Sequence, residues 1–296
     1  MTQLSTQQSI AESGPQPTQD KLIPIRELSE QTQVNTVTLR AWERRYGLLI
    51  PQRTPKGHRL YSEADVTKVR DILAFIAKGV PVSKVKALLS SDNSTHPKPS
   101  NNDWQQLIET IESTLSNGSL TQIKQSLQDL FLNYPLALTR SEILEPVIQK
   151  LEADTLKVAQ MMLLQSALVD YAVLRLNAKK AKKQKQPSLL ICAERSPMWK
   201  LALAAIELSD ANINVVLINQ PCDINTWISL ALRYQDFECI VFQEGVWRER
   251  ETQHIQQALQ TNDNLVFCGT AASVADIDIK RRIANPEQIL AYLTDK

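Results

Sequence analysis

The residues best suited to chemistry lie in one short basic stretch, TLRAWERRY. Leu39, Trp42 and Tyr46 recur there at helical spacing and predict the buried face of a helix. Another face of this helix carries Thr38, Ala41 and Arg45, with Arg40 and Arg44 beside them, and these side chains are small, polar or cationic. Small side chains permit close approach to base pairs, and guanidinium groups bind phosphate or guanine. This face predicts a helix that enters the major groove of double-stranded DNA.

The segment that follows predicts a basic hairpin. LLIPQRTPKGHRLYS places Gly57 between two short extended pieces, as a hairpin turn requires. The side chains on or beside the turn are Arg53, Lys56, His58, Arg59 and Tyr61. Charge on a helix alone would also fit a solvated face, but a basic wing beside it would bind the phosphate backbone and fix the register of the helix.

Two short helices joined by a tight turn would position these residues. IRELSEQTQV predicts a first helix with Ile25 and Leu28 inward, and Asn35 or Thr36 can cap a second helix that runs to Tyr46. This order is the helix-turn-helix plan.

The distribution of charge agrees with a polyanionic partner. The chain of 296 residues has a net charge of +1, but residues 21–90 hold 13 Lys/Arg against 6 Asp/Glu, which is +7. The remainder is therefore acidic, at −6. A basic module on an acidic remainder indicates that the first part binds nucleic acid.

Several classes of protein are disfavoured by the residue types. The seven glycines never come closer than ten residues to one another, which excludes a Walker loop and a Gly-x-Gly-x-x-Gly turn. The four cysteines form no Cys-x-x-Cys pair, so we expect buried thiols rather than a metal site or disulfides. Three histidines supply no Ser/His/Asp grouping. We predict that the protein is not an enzyme.

The chain divides into three predicted folded parts. The first is an all-α winged helix-turn-helix domain, the second a four-helix bundle, and the third an α/β domain in which short apolar runs alternate with helices. That alternation predicts a flavodoxin-like (Rossmann-type) parallel sheet. The predicted segments are a disordered tail at 1–20, the DNA-binding domain at 21–91, a linker at 92–102, the bundle at 103–178, a basic linker at 179–186 and the α/β domain at 187–296.

The sequence also indicates where the protein is found. No apolar run approaches the roughly 18 residues that spanning a bilayer needs, and residues 1–20 have neither a basic start nor an apolar core. We therefore expect a cytoplasmic protein with no membrane partner.

The stretch TLRAWERRYGLLIPQRTPKGHRLYSEADV closely resembles the winged-helix DNA-binding domain of the MerR family of transcriptional regulators. The resemblance covers about residues 22–90, and its W-E-R-R-Y-G-L form is similar to the subgroup of cobalamin-binding light regulators and MlrA-like curli regulators. It implies DNA contacts from the helix and the wing: Thr38, Arg40, Arg53, Lys56, His58 and Arg59, with Arg45 and Tyr61 as further candidates.

The resemblance extends to a cobalamin domain with altered motifs. In the light regulators, an Asp/Glu-x-His-x-x-Gly motif after the first strand supplies the cobalt ligand. Here Glu194 matches, but Ser196 stands at the ligand histidine and Trp199 at the glycine. A hydroxyl is a poor cobalt ligand, and an indole would occupy space that the corrin needs.

The bundle shows a similar loss. Met161 and Met162 stand where members of the subgroup carry a Glu-His pair that caps the upper face of the corrin. The resemblance therefore implies a degenerate cobalamin domain and a regulator without a cofactor.

These observations predict a transcription regulator that binds a palindromic promoter site as a homodimer, because pairing half-sites supplies specificity. It would meet RNA polymerase indirectly at promoters, through activation by DNA distortion or through simple occlusion. Two alternatives remain. The crevice of the α/β domain could bind cobalamin or a nucleotide-like effector. Trp227 and Trp247 could instead dock a protein antagonist, although buried helix packing would also explain both.

Overall fold

A computed structural model describes four stretches of the chain: 22–90, 102–178, 187–274 and 277–295. The predictions for the tail, for the basic linker and for all of the polar linker except Asn102 lie outside the described residues.

The first domain is a helix-turn-helix followed by a wing. Its elements are β1 (Ile23–Pro24), α1 (Ile25–Thr32), α2 (Thr36–Ala41), a π-helical turn (Trp42–Tyr46), β2 (Gln52–Arg53), β3 (Arg59–Tyr61), α3 (Glu63–Ala77) and α4 (Val82–Ser90). The Asn35 side chain caps α2 by accepting hydrogen bonds from two backbone N–H groups. Gly57 supplies the positive φ of the hairpin turn. A third strand, β1, pairs with β3, so the wing is an antiparallel sheet in the order β1-β3-β2.

The middle domain is a bundle of four helices, as predicted. Its elements are α5 (Asn102–Ser116), α6 (Leu120–Asn133), α7 (Leu136–Thr139), a π-helical turn (Arg140–Leu144), α8 (Glu145–Glu152), a 3₁₀ turn (Thr155–Lys157) and α9 (Val158–Ala178). The segment from α7 through the π-helical turn to α8 forms one continuous helix, the third of the four. Pro135 separates α6 from α7, because a proline has no N–H with which to continue the helix.

The C-terminal domain is a five-stranded parallel sheet with helices, in the order β5-β4-β6-β7-β8. Its elements are β4 (Ser188–Cys192), α10 (Met198–Asp210), β5 (Val215–Leu217), α11 (Ile224–Arg233), β6 (Glu238–Phe242), α12 (Glu249–Thr261), β7 (Leu265–Cys268), α13 (Thr270–Val274), a 3₁₀ turn (Ile279–Arg281), β8 (Arg282–Ile283), a second 3₁₀ turn (Pro286–Gln288) and α14 (Ile289–Thr294). The predicted Rossmann-type sheet is confirmed. Its fifth strand was not predicted, because two residues that include an arginine give no apolar run.

The three domains pack against one another. Helix α10 of the sheet domain lies on α9 of the bundle, and α2 of the first domain lies on α6. Buried apolar side chains form one cluster that runs through all three domains. Among the described helices, none is both long and apolar enough to cross a membrane.

Candidate nucleic-acid interface

The first domain presents a set of basic side chains that we call the basic surface: Arg40, Arg44, Arg53, Lys56 and His58. All five are exposed: Arg40 is on α2, Arg44 is on the π-helical turn that follows it, and the other three are on the wing. The structure thus leaves these predicted DNA-binding residues available for phosphate or base contacts.

Glu43 attaches the wing to the helix. Its carboxylate accepts a hydrogen bond from Arg53 Nη2 at 2.9 Å and one from Arg59 Nε at 2.5 Å, and its side chain is only 13% exposed. The hydrogen bond with Glu43 raises the pKa of Arg59. The prediction missed Glu43, although an acid within WERRY was a signal that it pairs with nearby cations.

Tyr61 lies in the core of the first domain. It is fully buried on β3, opposite Ile23 of β1, and burial raises the pKa of its phenol to about 12. The prediction considered Tyr61 on the wing as a DNA contact. In this structure its side chain is on the inner face of the sheet and is withdrawn from any ligand.

Three residues predicted to face DNA lie against the bundle instead. Thr38 is fully buried and Ala41 is 1% exposed, and the Arg45 guanidinium lies 3.6 Å from a carboxylate oxygen of Asp129 on α6. The structure therefore divides the predicted set: Thr38 and Ala41 are buried, Arg45 is half exposed beside Asp129, and Arg40 and Arg44 are exposed.

The π-helical turn contributes to this division. A π turn has more residues per turn than an α-helix, so the side chains after Trp42 point in directions different from those they would take in a regular α-helix. Tyr46, predicted to share the inner face with Leu39, is half-buried, and its hydroxyl donates to Asn133 Oδ1 at 3.1 Å. The turn thus directs Tyr46 toward the bundle.

The loop after β4 does not fit a corrinoid. Ser196, at the position of the ligand histidine, is buried, and its Oγ accepts a hydrogen bond from the Glu244 N–H at 3.0 Å. Trp199 is 7% exposed and packs in the shared core. Glu194 is exposed and free of these contacts. Two of the three motif positions are therefore occupied by the protein's own packing.

A polar network continues from that loop to the end of β7. Lys200 Nζ donates to Glu244 at 2.8 Å, and the Thr270 hydroxyl donates to the same carboxylate at 2.8 Å. Burial would raise the pKa of Glu244, but these hydrogen bonds hold it below its usual range. Gly269 has φ +105°, and a Cβ there would lie 2.4 Å from the Gln243 carbonyl oxygen. The loops after β6 and β7 thus approach too closely for a side chain larger than that of glycine at position 269.

The methionine pair of the bundle also lacks the features of a ligand pair. Met161 is half-buried against the core, and Met162 is 66% exposed. Neither side chain offers the imidazole or carboxylate that the subgroup uses at these positions.

A cleft of about 370 Å³ remains at the carboxyl ends of β4, β5 and β6. Its charged lining is mostly acidic: Glu194, Asp223, Glu244, Glu251 and one cation, Arg195. Trp227 is buried and Trp247 is half-buried, and both pack edge-on against Phe267. The packing interpretation of the two tryptophans thus fits the structure.

The four cysteines are free and buried. Burial raises the pKa of Cys192 and Cys239 to about 12, so these thiols are poor nucleophiles. Within the described stretches, no group of three or more His, Cys, Asp or Glu side chains could hold a metal ion.

Comparison with known proteins places this architecture among regulators. Residues 23–92 match the family model described as "MerR HTH family regulatory protein". The HTH-type transcriptional regulator MlrA of Salmonella typhimurium is 37% identical over 171 residues, which is 57% of this chain and 68% of that protein. The HTH-type transcriptional repressor CarH of Myxococcus xanthus is 26% identical over 208 residues, which is 65% of this chain and 69% of that protein. A Methanosarcina barkeri monomethylamine corrinoid protein is similar with a TM-score of 0.44 and 13% identity, over 64% of this chain and 99% of that one.

Proposed function

The chain belongs to the MerR family of transcriptional regulators, and from that premise we propose that it binds a palindromic promoter site in double-stranded DNA as a homodimer. The observation that carries this proposal is the basic surface, where the exposed arginines of α2 and of the π-helical turn lie beside a wing that Glu43 holds in place. The helix would read base edges, and the wing would hold phosphates.

A homodimer supplies the specificity that one module lacks. A single winged domain contacts too few base pairs, whereas two domains related by a two-fold axis read two half-sites at a fixed spacing. Bound at a promoter, such a dimer would activate transcription by distorting the duplex or repress it by occlusion, and it would meet RNA polymerase only through the DNA.

We propose further that this regulation does not require cobalamin. Ser196 is engaged by the Glu244 backbone, and the buried Trp199 takes the position of a motif glycine. A corrinoid would have to displace both side chains, so the sheet domain would serve in assembly or in sensing something else.

The cleft beside β4 and β6 favours a second candidate function, effector sensing. Its volume of about 370 Å³ suits a small molecule, but its mostly acidic lining would repel a phosphate. A neutral or cationic effector therefore fits the cleft better than a nucleotide. Thermal unfolding with added adenosylcobalamin, AMP and spermidine would separate these classes.

Selection of binding sites from a random duplex library, with the full-length protein, tests the main proposal. We expect a palindrome of two half-sites, and sedimentation of the complex as a protein dimer on one duplex. Recovery of a single half-site by a monomer would contradict the dimer, and recovery of no enriched sequence would contradict sequence-specific binding.

A further inference from the structure

The end of helix α6 accepts hydrogen bonds from the π-helical turn that follows α2. The Trp42 indole Nε1 donates to the Asn133 carbonyl at 2.8 Å, and the Tyr46 hydroxyl donates to the Asn133 side chain at 3.1 Å. Asn133 is the last residue of α6, and the carbonyls of a last helical turn have no donor within their own helix. The DNA-binding domain therefore caps this end of the bundle.

Pro135 leaves a second carbonyl of α6, that of Phe131, without a helical donor. In an α-helix the Phe131 carbonyl would accept from the N–H of the residue four positions later, but that residue is Pro135, which has no N–H. The Thr38 hydroxyl donates to the Phe131 carbonyl at 3.5 Å instead. Thr38 is fully buried, so one predicted DNA-binding side chain is directed at a backbone group of the bundle.

Charged groups extend the contact on both sides. Arg45 lies 3.6 Å from Asp129 of α6, and the Asn35 amide donates to Asp210 of α10 at 3.2 Å. Asp210 is itself paired with Arg175 of α9, so the DNA-binding domain contacts both other domains. A carboxylate beside Arg45 occupies the kind of position that a phosphate would occupy on DNA.

We propose that this docked arrangement is autoinhibitory, an inference that rests on the proposed DNA-binding function. The major groove is about 12 Å wide, and a helix with its side chains is about 10–12 Å across, so a helix covered along one side by α6 cannot enter it. DNA and α6 compete for one face of the helix that α2 and the π-helical turn form, where Thr38 and Ala41 are buried and the half-exposed Arg45 pairs with Asp129. The apparent affinity for DNA then falls in proportion to the fraction of undocked protein.

Reversing one charge on the bundle tests the inference without touching the DNA-binding domain. Asp129→Arg places a cation beside Arg45, and its 47% exposed side chain tolerates the change. Asp170→Arg is the matched control, because Asp170 is also about half exposed and its ion pair, with Lys124, is internal to the bundle. Both variants add the same charge to the chain.

Docking itself is measured by thiol labelling in the absence of DNA. A cysteine introduced as Thr38→Cys is buried when docked, and the four native thiols are buried and give the background rate. We expect the rate at position 38 to rise about fivefold with Asp129→Arg and to stay unchanged with Asp170→Arg. Fast labelling in the chain with Thr38→Cys alone would overturn the docked state.

Binding to the selected duplex then tests inhibition. We expect Asp129→Arg to lower the dissociation constant about fivefold relative to both the native chain and Asp170→Arg. Equal effects of the two variants would mean that the added positive charge alone strengthens binding. Weaker binding by Asp129→Arg would mean that the contact with α6 supports the DNA complex. Either result overturns the inference. Absence of binding by all three proteins would overturn the DNA-binding function itself, while the labelling rates would still report docking.

Discussion

The basic surface of the first domain and the loop after β4 in the C-terminal domain hold their polar side chains in opposite ways. On the basic surface, five basic side chains are exposed, and Glu43 restrains only one of them, Arg53, along with its neighbour Arg59. Around the loop after β4, Ser196 accepts from the backbone of Glu244, which follows β6, and Lys200 of α10 pairs with the Glu244 carboxylate. The basic side chains of the first region can therefore bind a ligand, whereas the polar groups of the second region are already hydrogen-bonded within the fold.

The largest difference should come from two glycines: Gly269 after β7, next to the polar network around the loop after β4, and Gly57 on the wing. In Gly269→Ala the new Cβ would lie 2.4 Å from a backbone oxygen at φ +105°, whereas at Gly57 the φ is +80° and nothing lies within 4 Å. We expect Gly269→Ala to lower the free energy of unfolding by about 3 kcal/mol or more and Gly57→Ala by about 1 kcal/mol. Urea unfolding followed by circular dichroism measures both, and equal losses would contradict the closed packing of the second region.

Ser196→Ala should have the next largest effect. The substitution leaves the Glu244 N–H without its acceptor, which costs about 1–2 kcal/mol when the group is part-buried. Ser141→Ala, at an exposed serine, serves as the control and should change the free energy of unfolding by less than about 0.5 kcal/mol.

Restoring the imidazole sharpens the same comparison. With Ser196→His the buried Trp199 still fills the core, so we expect no adenosylcobalamin absorbance to co-elute with the protein on gel filtration. Co-elution at equimolar ratio would show that one side chain, rather than the packing of the loop, decides cobalamin binding.

The sequence predicted the features of the first domain unequally, for physical reasons. Helical spacing and Gly57 were sufficient for the helix-turn-helix and the wing, because both are set by contacts between near neighbours. Thr38 instead donates to a carbonyl 93 residues away, at Phe131, and no local pattern encodes that contact. Tyr61 lies on a strand of three residues, too short for alternation to distinguish its inner from its outer face.

Alkaline pH should destabilise the first and the C-terminal domains from different starting pH values. The neutral phenol of Tyr61 is favoured in the fold, so its stabilisation is complete below pH 10, the ordinary pKa, and is lost as pH rises toward 12. Burial also favours the neutral thiols of Cys192 and Cys239. Their stabilisation of the fold is complete below pH 9, the ordinary pKa, and is lost as pH rises toward about 12. Urea unfolding from pH 8 to 11 should show the loss beginning near pH 9.

Tyr61→Phe isolates the contribution of the first domain. The variant should keep the decline that begins near pH 9 and remove about 1 kcal/mol of the loss at pH 11. It should cost little at pH 7, since the Tyr61 hydroxyl has no hydrogen-bond partner among the described residues. An unchanged profile would place the phenol in contact with solvent.

The smallest expected effect is on the salt dependence of DNA binding, which distinguishes the basic surface from the C-terminal domain. Arg53 is on the wing with a half-exposed side chain, so Arg53→Ala should remove one phosphate contact, weaken all duplexes alike and reduce the slope of log K against log salt by about 0.9. Arg250 on α12 is exposed in the other region and provides the matched control, for which we expect no change in slope. An equal change of slope for the Arg53 and Arg250 variants would mean that DNA binding depends on the net charge of the protein and not on the wing. A change of sequence preference with Arg53→Ala would instead mean that the wing reads bases, and the division of labour between helix and wing would have to be reversed.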